Sequence, residues 1–228
     1  MTGGSKMMRA MIPAMALLAA TPALSAQLAV SRYDMRNGGG QSTGGSSNYW
    51  DRNYNGAGCS ICDYAALSGG VGDLTDGVAA AAIWFPVEDG NGYGPYVGWW
   101  DFYAPSPIVN FVFAGGVTVD GIAIHLDNSN FGGVIAPTDI KVDGQSYSFT
   151  APTLGTAGWV TLTGLNLTGS QHSIQFVQAP NTYTFVSEVQ FNGSLVPEPG
   201  QWALFGLGFA ALGGALRRRR AVLMHSAA

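Results

Sequence analysis

The stretch Asp139-Ile140-Lys141-Val142-Asp143-Gly144-Gln145-Ser146-Tyr147-Ser148-Phe149-Thr150 decides the fold class. Two β-prone runs, 139–142 and 146–150, flank Asp143–Gly144. Asp-Gly is the strongest short hairpin signal because both positions of a type I′ turn need positive φ. Outward from it the pattern stays β. Upstream lie the apolar runs 82–87 and 108–113. Beyond them the 117–126 run alternates through Val117, Val119, Ile122, Ile124 and Leu126, with a change of phase at Asp120–Gly121. Downstream, 159–162, 174–177 and 185–191 are further strand candidates. No stretch from Leu74 to Phe191 keeps a helical period, and Gly, Pro, Asn and Asp separate the runs. That is the pattern of an all-β sandwich or jelly roll.

Ahead of this domain, residues 27–70 are rich in Gly, Ser, Asn and Tyr and have little apolar periodicity. They read as an extension. Tyr33, Tyr49, Trp50 and Tyr54 argue against a pure linker, since such rings pack or stack. The resulting division is 1–26, 27–70, a β-sandwich over 71–195, a segment at 196–220, and a tail at 221–228.

Both ends carry targeting features. Lys6 and Arg9 precede an apolar run at 10–20, and small residues follow from Thr21 to Ala26. This is a secretory signal helix, with cleavage expected after Ala26. At the other end, Pro197-Glu198-Pro199 leads into the uncharged run 202–216, and Arg217, Arg218, Arg219 and Arg220 close it. The run reads as a single transmembrane helix, short for a bilayer but extended by Trp202 and the arginines at the interfaces. The arginines place the tail in the cytoplasm and the sandwich outside the inner membrane. The ordered series of Pro-Glu-Pro, apolar helix and arginine cluster resembles the PEP-CTERM sorting signal. That resemblance implies recognition by an exosortase, cleavage near Pro-Glu-Pro, passage through the inner membrane, and a destination at the cell surface or in an exopolysaccharide or biofilm matrix.

Charge narrows the function classes. Only 11% of the 228 residues are charged, against roughly 25% in ordinary soluble proteins. Without residues 1–26 and everything from Pro197, four basic residues (Arg32, Arg36, Arg52, Lys141) face thirteen acidic ones, a net charge of −9. No basic stripe exists to neutralise phosphates, so nucleic-acid binding is excluded as a working reading. An acidic surface suits calcium and repels anionic polymers, which favours a neutral glycan as partner.

A second resemblance rests on the order of three motifs: Gly-Asp-Leu-Thr-Asp-Gly-Val at 72–78, the 121–144 stretch, and Phe-Val-Ser-Glu-Val-Gln-Phe-Asn-Gly at 185–193. This order is similar to that of the galactose-binding-like jelly-roll superfamily, the discoidin or coagulation-factor C-type domains. The resemblance implies a structural calcium where the first loop meets the last strand. Asp76 and Glu188 would supply its carboxylates, and carbonyls near Asp73 and Ser187 would supply further oxygens. The alternative is that Asp76 makes a turn with Gly77 and Glu188 lies on the surface.

Sugars present apolar faces that stack on aromatic rings, with polar groups fixing their orientation. The candidates are Tyr93, Tyr96, Trp99 and Trp100, with Asp127, Asn128 and Asn130 as hydrogen-bonding groups. Trp99 and Trp100 point to opposite faces of a strand, so at least one of them is expected in the core. Cys59 and Cys62 are expected to form a local disulfide in an exported chain. There is no His-Glu-x-x-His and no acid pair in an evident pocket. The chain therefore reads as a non-enzymatic surface or matrix protein, with a carbohydrate-binding module as the alternative and a secreted hydrolase as the second.

Overall fold

The computed structural model describes residues 26–40, 47–196, 200, 204 and 206–213. Ten strands carry the fold: β1 (Ala26–Leu28), β2 (Arg32–Arg36), β3 (Ala57–Gly58), β4 (Ala66–Gly70), β5 (Val97–Trp100), β6 (Ile108–Asn128), β7 (Asp139–Val142), β8 (Gln145–Tyr147), β9 (Thr156–Val177) and β10 (Tyr183–Leu195). A single helical turn, α1 (Trp84–Val87), and a short 3-10 turn at Phe131–Gly133 interrupt them. The chain is all-β, as the periodicity predicts.

Two long strands organise the rest. In β6, residues 108–112 pair with β9 residues 171–175, while residues 117–128 pair with β9 residues 156–169. The register breaks between Val112 and Val117, so both strands turn a corner there. One half continues in the order β3-β4-β2-β6-β9-β7-β8. The other half adds β10 to β6, with β1 and β5 along β10. The halves face each other across one core: the rings of Phe111 and Phe191 lie 5.0 Å apart, and those of Trp99 and Phe176 are stacked at 6.1 Å. Val109, Phe111, Ile122, Ile124, Leu126, Ile174 and Phe191 alternate inward and are fully buried.

The Asp143–Gly144 hairpin forms as read. Both residues have positive φ, +50° and +81°, and Val142 pairs with Gln145 across the turn. Three expectations change. Residues 26–70 are not an extension laid over a domain: they contain β1 to β4, and Tyr33, Tyr49 and Tyr54 are buried. The run 82–87 is not a strand. Pro86 has no N–H for a ladder, and Asp127 Oδ2 accepts the Trp84 N–H at 2.6 Å, so the chain turns into α1 instead. The strand candidates 108–113 and 117–126 are one continuous β6, and 159–162 and 174–177 belong to one β9.

Ala26, where β1 begins, and Val196, just past β10, lie at one end of the sandwich. Ala26 pairs with Gly193 and Leu28 with Phe191. A Cβ on Gly193 would meet the Thr118 carbonyl oxygen at 1.9 Å, so this crossing requires glycine. Just beyond, the Val196 N–H donates to the Gly116 carbonyl at 2.8 Å. The expected signal helix before Ala26, and Pro197, Glu198, Pro199 and Arg217 to Arg220, lie outside the described residues. Residues 206–213 are helical. Among the described residues, no helix is long and apolar enough to cross a membrane.

Candidate functional site

The end of the sandwich opposite Ala26 and Val196 carries exposed aromatic rings. Tyr183 opens β10 and sits across from Trp100 of β5. Their rings stack at 5.7 Å with planes 16° apart, a cross-strand aromatic pair. The turn after β5 adds Phe102, 69% exposed, at 5.5 Å from Trp100, and Tyr103 at 5.3 Å. Tyr64 lies 5.5 Å from Tyr103. On the other flank, Tyr49 lies 6.1 Å from Tyr183 and 5.7 Å from Trp84. Trp84 and Phe85 of α1 then meet Phe131 at 5.6 and 4.8 Å. The Trp84 indole N–H donates to the Phe131 carbonyl at 3.0 Å. The result is an unbroken series of rings from Phe102 to Phe85, with the exposed members at its two ends.

The sequence-derived ligand set divides. Trp99 faces inward, wholly buried, with its indole N–H donating to the Arg36 carbonyl at 2.8 Å. Tyr96 is also buried, and its hydroxyl donates to the Ala82 carbonyl at 2.8 Å. No face of either ring is open to a ligand, which removes both from the candidate set. Trp100 is half-buried and belongs to the aromatic series. Tyr93 is exposed but stands apart from the series, with the Arg52 guanidinium 4.1 Å over its ring. Asp127 is buried and accepts the N–H groups of Trp84 and Ser129, both at 2.6 Å. Asn128 donates to the Pro152 carbonyl at 2.6 Å and accepts the Ala136 N–H at 3.0 Å. These two residues shape the loops beneath the rings. Asn130 is exposed, in the left-handed conformation. Phe85, Phe102, Tyr103 and Phe131 were missed. For Phe85 beside Trp84, and for Phe102 and Tyr103 just after Trp100, the signal of clustered aromatics beside Pro is present in the sequence, whereas Phe131 stands alone among Asn and Gly.

The first loop does meet the last strand. The Leu74 carbonyl accepts the Val189 N–H at 2.8 Å, Ser187 Oγ accepts the Ala80 N–H at 3.1 Å, and Glu188 Oε2 accepts the Gly77 N–H at 3.1 Å. Glu188 is buried rather than on the surface. Burial, with the charge of Asp76 adding to it, pushes its carboxyl up to about 7. Asp76 makes an Asx turn onto Val78 N–H at 2.8 Å. Thr75, Asp76, Gly77 and Glu188 line a cleft of about 330 Å³. Beside it lie two acids that sequence reading left out as a pair. Asp51 accepts the Tyr33 hydroxyl and the Asp73 N–H, the latter at 3.0 Å. Asp73 accepts from Asn53 at 2.7 Å. Burial raises Asp51 to about 6 and Asp73 to about 7, and for Asp73 the Asp51 charge adds to the rise. The Asp73 Oδ2 and Thr75 Oγ1 atoms are buried without a hydrogen-bond partner. Among the described residues, no three His, Cys, Asp or Glu side chains converge as a metal-ligand group. The oxygens present around Asp76 and Glu188 are nonetheless of the hard kind calcium takes.

His125 Nδ1 lies 2.8 Å from Ser187 Oγ, but Ser187 is wholly buried and already accepts the Ala80 N–H. His172 is buried against Asp143 Oδ2 at 2.7 Å. Cys59 and Cys62 are joined as a disulfide. The buried Asn37 amide donates to the Ser60 carbonyl at 3.0 Å and holds that loop against the sandwich.

No curated protein matches the chain. Among solved structures, it is similar to an F-lectin (fucolectin) from the serum of the striped bass Morone saxatilis, at 12% identity over 73% of each chain and a TM-score of 0.35. That likeness is too distant to transfer any property to this chain. The match at the C-terminus is of another kind, because it covers the features read there from the sequence. Residues 195–220 are a PEP-CTERM protein-sorting motif, beginning at the last residue of β10.

Proposed function

We propose that the protein is an exported, non-catalytic surface protein, processed by an exosortase, whose β-sandwich is a galactose-binding-like jelly roll displayed in the exopolysaccharide or biofilm layer. The observation that carries this reading is the sorting motif at 195–220, which begins at the last residue of the strand that closes the sandwich. The docking of loop 72–80 on β10 supports the jelly-roll assignment. Replacing Arg217 to Arg220 by alanine in the native host tests the sorting step. The altered chain should stay unprocessed in the inner membrane. Normal delivery of that variant to the surface contradicts the reading.

Glycan contact is the favoured role for the displayed domain, and the exposed aromatic series favours it. Trp100, Phe102, Tyr103, Phe85 and Phe131 offer ring faces or edges, and stacking on such rings is how sugars bury their apolar faces. Each contact is weak, and dense display compensates through multivalency. Asp76 and Glu188 would hold a structural calcium, assisted by the Asp73 and Thr75 oxygens. The ion would pin the first loop to the last strand, and Glu188 would hold it in its unprotonated form.

A further inference from the structure

We propose that the uncharged end of the sandwich, where residues 26–31, 113–117 and 193–196 come together, is a membrane-facing surface that rests on the phospholipid bilayer until the chain is cut. The proposal depends on the reading that the segment after Val196 holds the chain at the membrane.

Three stretches without a charged residue converge at this end: 26–31, 113–119 and 189–196. The pairing of Ala26 with Gly193 and the Val196 bond to Gly116 bring them together. They line a cleft of about 450 Å³, walled by Leu28, Phe113, Ala114, Gly115, Val117 and Leu195. Leu195 is 73% exposed and Val196 45%, an apolar lip at the mouth of the sorting segment. Of the nearest charges, Arg32 pairs with Asp34 at 4.0 Å and Asp143 with His172 at 2.7 Å. Asp120, half-buried, flanks the corner, and Asp76 and Glu188 share the neighbouring cleft with residues 27–30 at its side.

The tether fixes the distance. Five residues lie between Val196 and Trp202, so six chain steps give a reach of at most about 22 Å at 3.3 to 3.6 Å per residue. The end that bears Val196 cannot stand far from the bilayer that holds the apolar run. Electrostatics fixes the orientation. A domain of net charge −9 is repelled by anionic headgroups, and the rotation that brings an uncharged, partly apolar end to the lipid costs least. The aromatic series then points outward, because β10 separates Tyr183 from Leu195 by up to about 40 Å at 3.3 Å per residue.

The test uses the full chain, with its Cys59–Cys62 disulfide intact, bound to vesicles of phosphatidylethanolamine with a minor share of phosphatidylglycerol. Ala114→Cys places a fluorophore on the proposed surface, and Leu154→Cys places one at the opposite end; both positions are exposed. Headgroup-nitroxide lipid should quench the Ala114 label and leave the Leu154 label bright. Adding Leu195→Glu should relieve the quenching at position 114. A chain that fails to float with the vesicles overturns the anchoring reading and the proposal with it. A chain that floats with equal quenching at both labels, or with the Leu154 label quenched more, overturns the proposal alone.

Discussion

Trp99 and Trp100 are adjacent in sequence and opposite in environment, and they give the sharpest residue-scale prediction. Trp99→Ala should cost about 3–5 kcal/mol of stability, as large-to-small changes in a packed core do. Trp100→Ala and Phe102→Ala should leave the protein folded and reduce its binding to exopolysaccharide from the producing strain. Chemical denaturation and co-sedimentation separate the two outcomes. If all three variants unfold early and none loses binding selectively, the rings are only structural. The alternation of the pair was legible in the sequence, but its direction was not. It is set by the Arg36 carbonyl and the Phe176 ring, which lie 63 and 77 positions away. The acids behave likewise. Asp76 and Glu188 were marked by their motifs, whereas burial of Asp51 and Asp73 depends on Tyr33 and Asn53 in a stretch with no visible period. For the calcium reading, adding the ion should raise the melting temperature; a hundredfold excess over the dissociation constant is worth about 2.7 kcal/mol. Asp76→Ala should abolish the rise, and equal melting with calcium and with chelator contradicts it.

The β7–β8 hairpin shows how far an element can be read from local chemistry. Its turn needs positive φ at Asp143 and Gly144, and the sequence supplies the dipeptide that tolerates it. Gly144→Val should destabilise the protein by about 1–2 kcal/mol, the cost of forcing an ordinary L residue into the left-handed region. Gly144→Asn should cost less. Equal midpoints for the two variants in a urea titration would show that the turn is not what holds β7 and β8 in register. The long strands were less legible. β6 loses register with β9 at residues 112–117 and 119–121; the first irregularity mimics a break between separate strands and the second changes the phase of the inward alternation. Residues 26–70 hid four strands because those are short, from two to five residues, and because β1 and β2 pair with β10 and β6 far along the chain.

On the scale of the whole molecule, buried acids and sorting set the behaviour. Asp51, Asp73, Glu88 and Glu188 are raised to about 6, 7, 8 and 7, in each case chiefly by burial. A carboxyl raised in the folded state binds its proton more tightly there than in the unfolded chain. Its stabilising effect is complete below the unfolded value, near 4, and is lost as the pH rises through the folded value. Without bound cation, stability should therefore fall between about pH 4 and pH 8, and calcium should offset the upper part of that loss. Denaturation midpoints across that range, with chelator and with calcium, check the sign; a midpoint that rises with pH under chelator contradicts it. The central claim is that this sandwich is exported, cut at both ends and displayed. The most direct measurement is the intact mass of the protein recovered from the surface of its native host. The account predicts a chain beginning at Gln27 and lacking Trp202 to Arg220, with any attached group read from the excess mass. A full-length chain on the surface, with its C-terminal segment intact, would contradict it.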